Sequence, residues 1–175
     1  MTELIQLFTQ IALLRRGPQD VPASTLLLVI SVLGYSAVNV IVFSMLPTVA
    51  GWPPRLAADV LFTDVLFTLG WYTVLLHLVG RPERFLQTVT AVFGFQTVLS
   101  PLLRLAEWLV RRFAQDSIWQ LPVTVILLAV VVWSIAANSH VVQAALEWSG
   151  LASLGIVILE LIVGGMVLGA LFPGP

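Results

Sequence analysis

The sequence predicts an all-α fold: a polytopic transmembrane helical bundle of about five helices, preceded by an interfacial amphipathic helix. Composition is the first reason, since the 175 residues are 59% hydrophobic and 10% charged, with a mean hydropathy of +1.02. A soluble domain carries roughly a quarter charged residues. Eight Arg and nine acids cannot cover a soluble surface, and so apolar a chain is not a disordered one. The second reason is the spacing of those charges. Each charge left in hydrocarbon costs about 3 kcal/mol or more, so uncharged intervals mark spans, and here they are separated by Pro- and Gly-rich breaks.

The elements follow in order. Residues 1–19 form the amphipathic segment: Leu4, Leu7, Phe8, Ile11 and Leu14 share one helical face while Glu3, Gln6, Gln10 and the Arg15–Arg16 pair lie elsewhere, which places the helix in the headgroup plane. It does not read as a signal peptide, because Glu3 precedes the basic pair and no small-residue cleavage site follows a short apolar core. Residues 20–175 are the transmembrane domain. Its first span, 25–46, is uncharged and long enough to cross at 1.5 Å per residue. The turn-rich PTVAGWPP then leads to a second span at 56–79, apolar apart from Asp59 and Asp64 and ended by Gly80-Arg81-Pro82. A third, 85–103, is uncharged but more polar, with Pro101 placed to kink it. The stretch 104–116 carries Arg104, Glu107, Arg111, Arg112 and Asp116 with apolar residues at helical spacing, and reads as an interfacial continuation. The fourth span is 118–138, with Pro122 tolerated in a first turn, and the fifth is 151–172, broken only by Glu160.

Several function classes drop out. Without Cys there is no disulfide framework, thiolate nucleophile or Cys-based metal site. A net charge of −1 offers no basic stripe for nucleic acid. HExxH, GxSxG, phosphate-loop and paired-His motifs are missing, so neither an enzyme nor a bound cofactor is expected. His77 and His140 stand at span edges with no carboxylate three or four residues on, and read as interfacial rather than as metal ligands. The expected partners are the lipid bilayer and other membrane proteins or a second copy of the chain. Every cation is Arg, a residue choice that points to a GC-rich bacterial source and an inner membrane.

Orientation is less clear than segmentation. With five crossings and a cytoplasmic N-terminus, Arg15, Arg16, Arg81 and Arg84 lie inside and Arg55, Arg104, Arg111 and Arg112 outside, which is no bias. A re-entrant 85–103 places seven of the eight Arg inside, as the positive-inside rule favours, and the polar Gln87, Thr88, Thr90, Gln96, Thr97 and Ser100 fit that picture. Both topologies stay open on the sequence.

Gly80-Arg81-Pro82-Glu83-Arg84-Phe85-Leu86-Gln87-Thr88, followed by Ala91-Val92-Phe93-Gly94 and Ser100-Pro101-Leu102, resembles the middle of the Yip domain, the five-span family named for Ypt/Rab interaction. The matching residues cover about a quarter of the chain and are common types. The resemblance implies a bacterial Yip-like bundle that acts as a scaffold or interaction partner in membrane organisation, with no catalytic residues to carry over. The longer cytosolic N-terminal region of eukaryotic members has no counterpart among the twenty or so residues before the first span.

Ionisable groups at mid-membrane depth are the candidate functional residues. Asp59 lies close to Pro53–Pro54 and four residues from Arg55, so a helix N-terminus and an ion pair account for it. Asp64, ten residues beyond Pro54 or about 15 Å of helix, and Glu160, at similar depth in the last span, have no such explanation. Every Arg falls near a predicted edge, so both acids are expected to lack a cation except by a long snorkel. Away from water the neutral acid is favoured, and it both donates and accepts hydrogen bonds. Asn39 joins Asp64 and Glu160 in a candidate intramembrane polar or proton site, with Ser31, Ser36, Thr68, Gln87 and Gln96 as further partners. Two uses are open: a polar cluster that fixes helix packing, or a protonation site in a small transporter or proton-coupled channel subunit. Gly164, Gly165 and Gly169 form a small-residue face for packing within the bundle or for dimerisation.

Overall fold

The structure, a computed structural model, describes residues 2–46 and 54–172. Six α-helices follow one another: α1 (Thr2–Ala12), α2 (Thr25–Met45), α3 (Pro54–Leu78), α4 (Phe85–Arg112), α5 (Gln120–Leu146) and α6 (Gly150–Leu171). Single 3-10 turns sit at Pro18–Asp20 and Pro82–Arg84, and no strand occurs among the described residues. Helices α2 to α6 are each long and apolar enough to cross a membrane by length and composition. The chain is an all-α integral membrane bundle. The turn expected at 47–53 lies outside the described residues.

Local chemistry sets the helix limits. Ser24 caps α2 by accepting from the Leu27 N–H at 3.4 Å, and Ser149 caps α6 by accepting from Ala152 at 3.4 Å, each satisfying a first-turn donor. Asp116 Oδ1 accepts from the Ile118 and Trp119 N–H groups at 2.9 and 3.1 Å and turns the chain into α5. Helix α3 ends where Gly80 takes φ +75° and the Arg81 N–H returns to the Leu76 carbonyl at 2.8 Å, a left-handed cap that glycine adopts without strain.

Two boundaries differ from the sequence reading. Helix α5 continues to Leu146 rather than stopping at 138, since the charge-free apolar run continues to the Glu147-Trp148-Ser149-Gly150 break. Helix α4 absorbs the charged stretch after 103 and is continuous through Pro101 for 28 residues, about 42 Å. Its two ends meet opposite ends of α5: Arg84 reaches the Ala144 and Ala145 carbonyls, while the Phe113 ring lies 6.2 Å from that of Trp119. A re-entrant segment must reverse direction, and α4 does not. One end of the bundle therefore carries the 79–84 and 147–149 connections, and the other the 113–119 connection and the end of α6.

Helix α4 occupies the centre. Thr88 to Phe95 are all buried, and eight consecutive helical residues point in every direction around the axis. Helices α2 and α5 pack along it, with α1 and α3 completing its surround. The outer helices are organised the other way round. In α2 the buried residues are Leu27, Ser31, Tyr35 and Asn39, one stripe at four-residue spacing, whereas Leu26, Val29, Ile30, Leu33, Val40 and Ile41 are exposed, as befits a lipid-facing surface.

The amphipathic α1 has its apolar face on protein. Leu7, Ile11 and Ala12 are buried, the Phe8 ring occupies the space a side chain at Gly94 would need, and Trp133 Nε1 donates to the Ala12 carbonyl at 2.7 Å. Glu3, Gln6, Arg15 and Arg16 remain exposed. Gly94 and Trp133 each lie well inside their helices, so α1 is packed alongside the middle stretches of α4 and α5.

Candidate intramembrane site

A cavity of about 410 Å³ opens inside the half of the bundle nearer the 113–119 connection. All five long helices contribute to its wall. Tyr35 and Asn39 come from α2 because they follow Ser31 on the stripe that faces inward. Asp64 comes from α3. Gln96, Ser100 and Arg104 come from α4, again four residues apart and so on one face, with Glu107 beyond them. Tyr35 Oη donates to Asp64 Oδ2 at 2.8 Å. Asn39 Nδ2 donates to the Tyr35 carbonyl at 2.9 Å and to Ser100 Oγ at 3.4 Å. Asp64 and Asn39 thus share one site, joined through Tyr35.

Arg104 is the cation that borders this cavity, held near the end of α2 rather than beside Asp64. It lines the same cavity as Asp64, donates to Glu107 Oε2 at 3.0 Å and holds its guanidinium 5.0 Å from the centre of the Phe43 ring. Because α4 stays helical past 103, Arg104 remains on the cavity face instead of turning outward into an interfacial layer. The site therefore contains two acids and one Arg.

Glu160 belongs to a second set of bonds. Tyr72 Oη lies 2.9 Å from Asn138 Oδ1 and 3.0 Å from Glu160 Oε2, and Asn138 Nδ2 donates to Glu160 Oε2 at 3.0 Å. All three side chains are buried. The Tyr72 hydroxyl has one hydrogen to give, so it serves one acceptor at a time. All three contacts are satisfied together when Glu160 is the neutral acid: Asn138 donates to Glu160, Glu160 to Tyr72, and Tyr72 to Asn138. This ring ties α3, α5 and α6. Asn138 also lines the cavity, whereas Glu160 does not, so Asn138 is where the two sets meet.

The remaining candidates are dispersed. Ser31 donates to its own helix at the Leu27 carbonyl, and Gln87 donates to the Val21 carbonyl at 3.1 Å, fastening the segment before α2. Asp59 is exposed, and the side chain of Arg55 lies outside the described residues. His77 bonds the Thr73 carbonyl of its own helix, and no group of three His, Asp or Glu side chains able to hold a metal occurs among the described residues. The glycine face divides: Gly164 leaves room for the Phe67 ring, 3.0 Å from where its Cβ would stand, while Gly165 and Gly169 have nothing within 4 Å.

At the opposite end of the bundle a charged clasp was missed by the sequence reading. Glu147 sits at φ 57°, a left-handed conformation that costs a non-glycine residue about 1 kcal/mol or more. It accepts from Arg81 at 2.7 Å and Arg84 at 2.5 Å. Arg84 also donates to the Ala144 and Ala145 carbonyls at 3.2 and 3.0 Å, placing positive charge on the negative end of α5. Hydrogen bonds from Arg81 and then Arg84 hold the Glu147 carboxyl down at about 2. Compared with known proteins, the chain matches no protein-family model, no curated protein and no solved structure.

Proposed function

We propose that this protein is a small membrane transporter or transporter subunit that admits a polar solute to the cavity around Asp64 and couples its occupancy to a proton on that carboxyl. The observation that carries this reading is the cavity itself: about 410 Å³, walled by all five long helices and containing Asp64, Asn39, Gln96 and Ser100. Polar groups held at this depth around open space are costly unless something uses them. The Asp64 carboxyl holds either a proton or a positive charge from a ligand, and exchange between the two couples their movements. Glu160, outside the cavity and enclosed by its ring of bonds, holds the helices in place. The setting we infer is a bacterial inner membrane with the 79–84 connection on the cytoplasmic side; the all-Arg cation content and the Arg15–Arg16 pair before the first span support it.

The test is proton flux into vesicles containing the purified protein, challenged with a panel of small amines, carboxylates and polyols. Asp64→Asn, which keeps shape, abolishes solute-driven flux, whereas Glu160→Gln retains it. Undiminished flux in Asp64→Asn refutes the reading.

A second reading has its own support. The Tyr72–Asn138–Glu160 ring is what a packing device looks like, and the open faces of Gly165 and Gly169 leave room for close approach by another helix. Together with the Yip-like residues at 80–102, these features favour a scaffold or interaction partner in membrane organisation. In that case Asp64→Asn and Glu160→Gln both leave function intact, and a co-purifying membrane protein is lost on Gly165→Leu.

A further inference from the structure

The hydrogen bonds around Asp64 in the cavity point to the class of solute. We propose that the cavity binds a small primary ammonium, an organic cation with N–H groups to donate. This rests on the cavity being a solute site, and it adds which chemistry the solute carries.

The donors that touch Asp64 and Asn39 are committed to protein, while the Gln96 amide N–H groups and the Ser100 hydroxyl hydrogen, farther along the same wall, have no acceptor among the described residues. Tyr35 Oη gives its only hydrogen to Asp64 Oδ2, and Asn39 Nδ2 serves the Tyr35 carbonyl and Ser100 Oγ. Asn138 Nδ2 serves Glu160, and Ser134 Oγ serves the Val130 carbonyl. The acceptors are not. Asp64 Oδ1 and Asn39 Oδ1 accept no bond from the described residues; Gln96 Oε1 also has no partner among them, but it is buried away from the open space. A carboxylate oxygen and an amide oxygen on the wall of one cavity suit the N–H groups of a primary ammonium. The Asp64 carboxylate repels an anion.

Charge agrees with this inventory. Arg104 is paired with Glu107, leaving the Asp64 carboxylate as the charge on the cavity wall without an ion-pair partner among the described residues. Tyr35 and Phe95 border the same space, and aromatic faces favour cations as well. The volume suits an organic cation of several heavy atoms.

The experiment is equilibrium binding of radiolabelled ethylammonium, tetramethylammonium, acetate and ethylene glycol to the full chain in phosphatidylcholine nanodiscs. Ethylammonium is expected to saturate at one per chain and to bind at least about tenfold more tightly than the other three, since charge-assisted hydrogen bonds are the strong ones. Asp64→Asn lowers its affinity by about tenfold or more. Asn39→Leu lowers it severalfold and reads the same site if the Asp64 variant does not fold. Equal binding of tetramethylammonium overturns the requirement for N–H donation. Preferential binding of acetate or glycol overturns the ammonium assignment while leaving a solute site in place. Absence of saturable binding by all four removes both this proposal and the transporter reading beneath it. Ethylammonium binding unchanged by either variant places it elsewhere and also overturns the proposal.

Discussion

Removal of one hydroxyl, Tyr72→Phe, tests the ring that ties α3, α5 and α6. The Tyr72 side chain is fully buried, and its oxygen lies 2.9 Å from Asn138 and 3.0 Å from Glu160. With Glu160 as the neutral acid, the substitution breaks two links, the bond Tyr72 donates and the one it accepts. Hydrogen bonds between membrane helices contribute about 0.6 kcal/mol on average and up to about 1.7, so the pair is worth about 1–3 kcal/mol. Water cannot readily replace the lost partner in a buried site, which favours the upper half of that range. The assay is reversible unfolding in mixed micelles by dodecyl sulfate titration, followed by circular dichroism. A double-mutant cycle with Asn138→Ala isolates the ring from other effects of each change. Its coupling energy should exceed about 0.5 kcal/mol, because the two residues share one network. A Tyr72→Phe protein within about 0.3 kcal/mol of the parent, or a cycle with additive effects, would refute the reasoning. Glu160→Gln should be the milder change, since an amide supplies both a donor and an acceptor.

Two other regions give separate predictions. Because the folded-state Glu147 carboxyl is held at about 2 against an ordinary 4.5, its clasp with Arg81 and Arg84 stabilises the fold fully above about pH 4.5. That contribution is lost as pH falls toward 2, and Glu147→Gln should remove this part of the acid dependence in melting curves recorded between pH 6 and 2. At the α1–α4 contact, Gly94→Val places methyl groups in the Phe8 ring, and overpacking of this kind costs about 1–3 kcal/mol. Phe8→Ala in the same chain should recover much of the loss in the same unfolding assay, and failure of that rescue would show that Gly94 is needed for another reason.

The spans were legible because charge is so costly in hydrocarbon that seventeen charged residues act as boundary marks. Asp64 was legible for the same reason, as an acid that no edge explains. Two inward stripes were also written in the sequence, Ser31-Tyr35-Asn39 in α2 and Gln96-Ser100-Arg104 in α4, each at the spacing that brings side chains to one helical face. The second went unread because the break placed at 103 separated Arg104 from its partners. Tyr35 and Tyr72, the only tyrosines, both lie within spans instead of in the interfacial belts that tyrosine favours, and that displacement was the available sign of their bonds to Asp64 and Glu160. The pairing of Glu160 with Asn138 was not legible, since it depends on how α5 and α6 are rotated against each other. Nor was the clasp at Glu147, which requires the 79–84 and 147–149 connections to meet at one end of the bundle.

The encirclement of α4 bears on how the protein is made. A helix enclosed by protein through its middle need not be fully soluble in lipid, and α4 accordingly carries Gln87, Thr88, Thr90, Gln96, Thr97 and Ser100 along a single span. Such a segment enters lipid less readily than the more apolar α2, α5 and α6. It leaves the ribosome with α1, α2 and α3 already synthesised but α5 still to come, so one wall of its final enclosure is missing at that moment. Stable residence of α4 in the bilayer is therefore a property of the completed chain, and the order of synthesis is not the order in which the bundle closes.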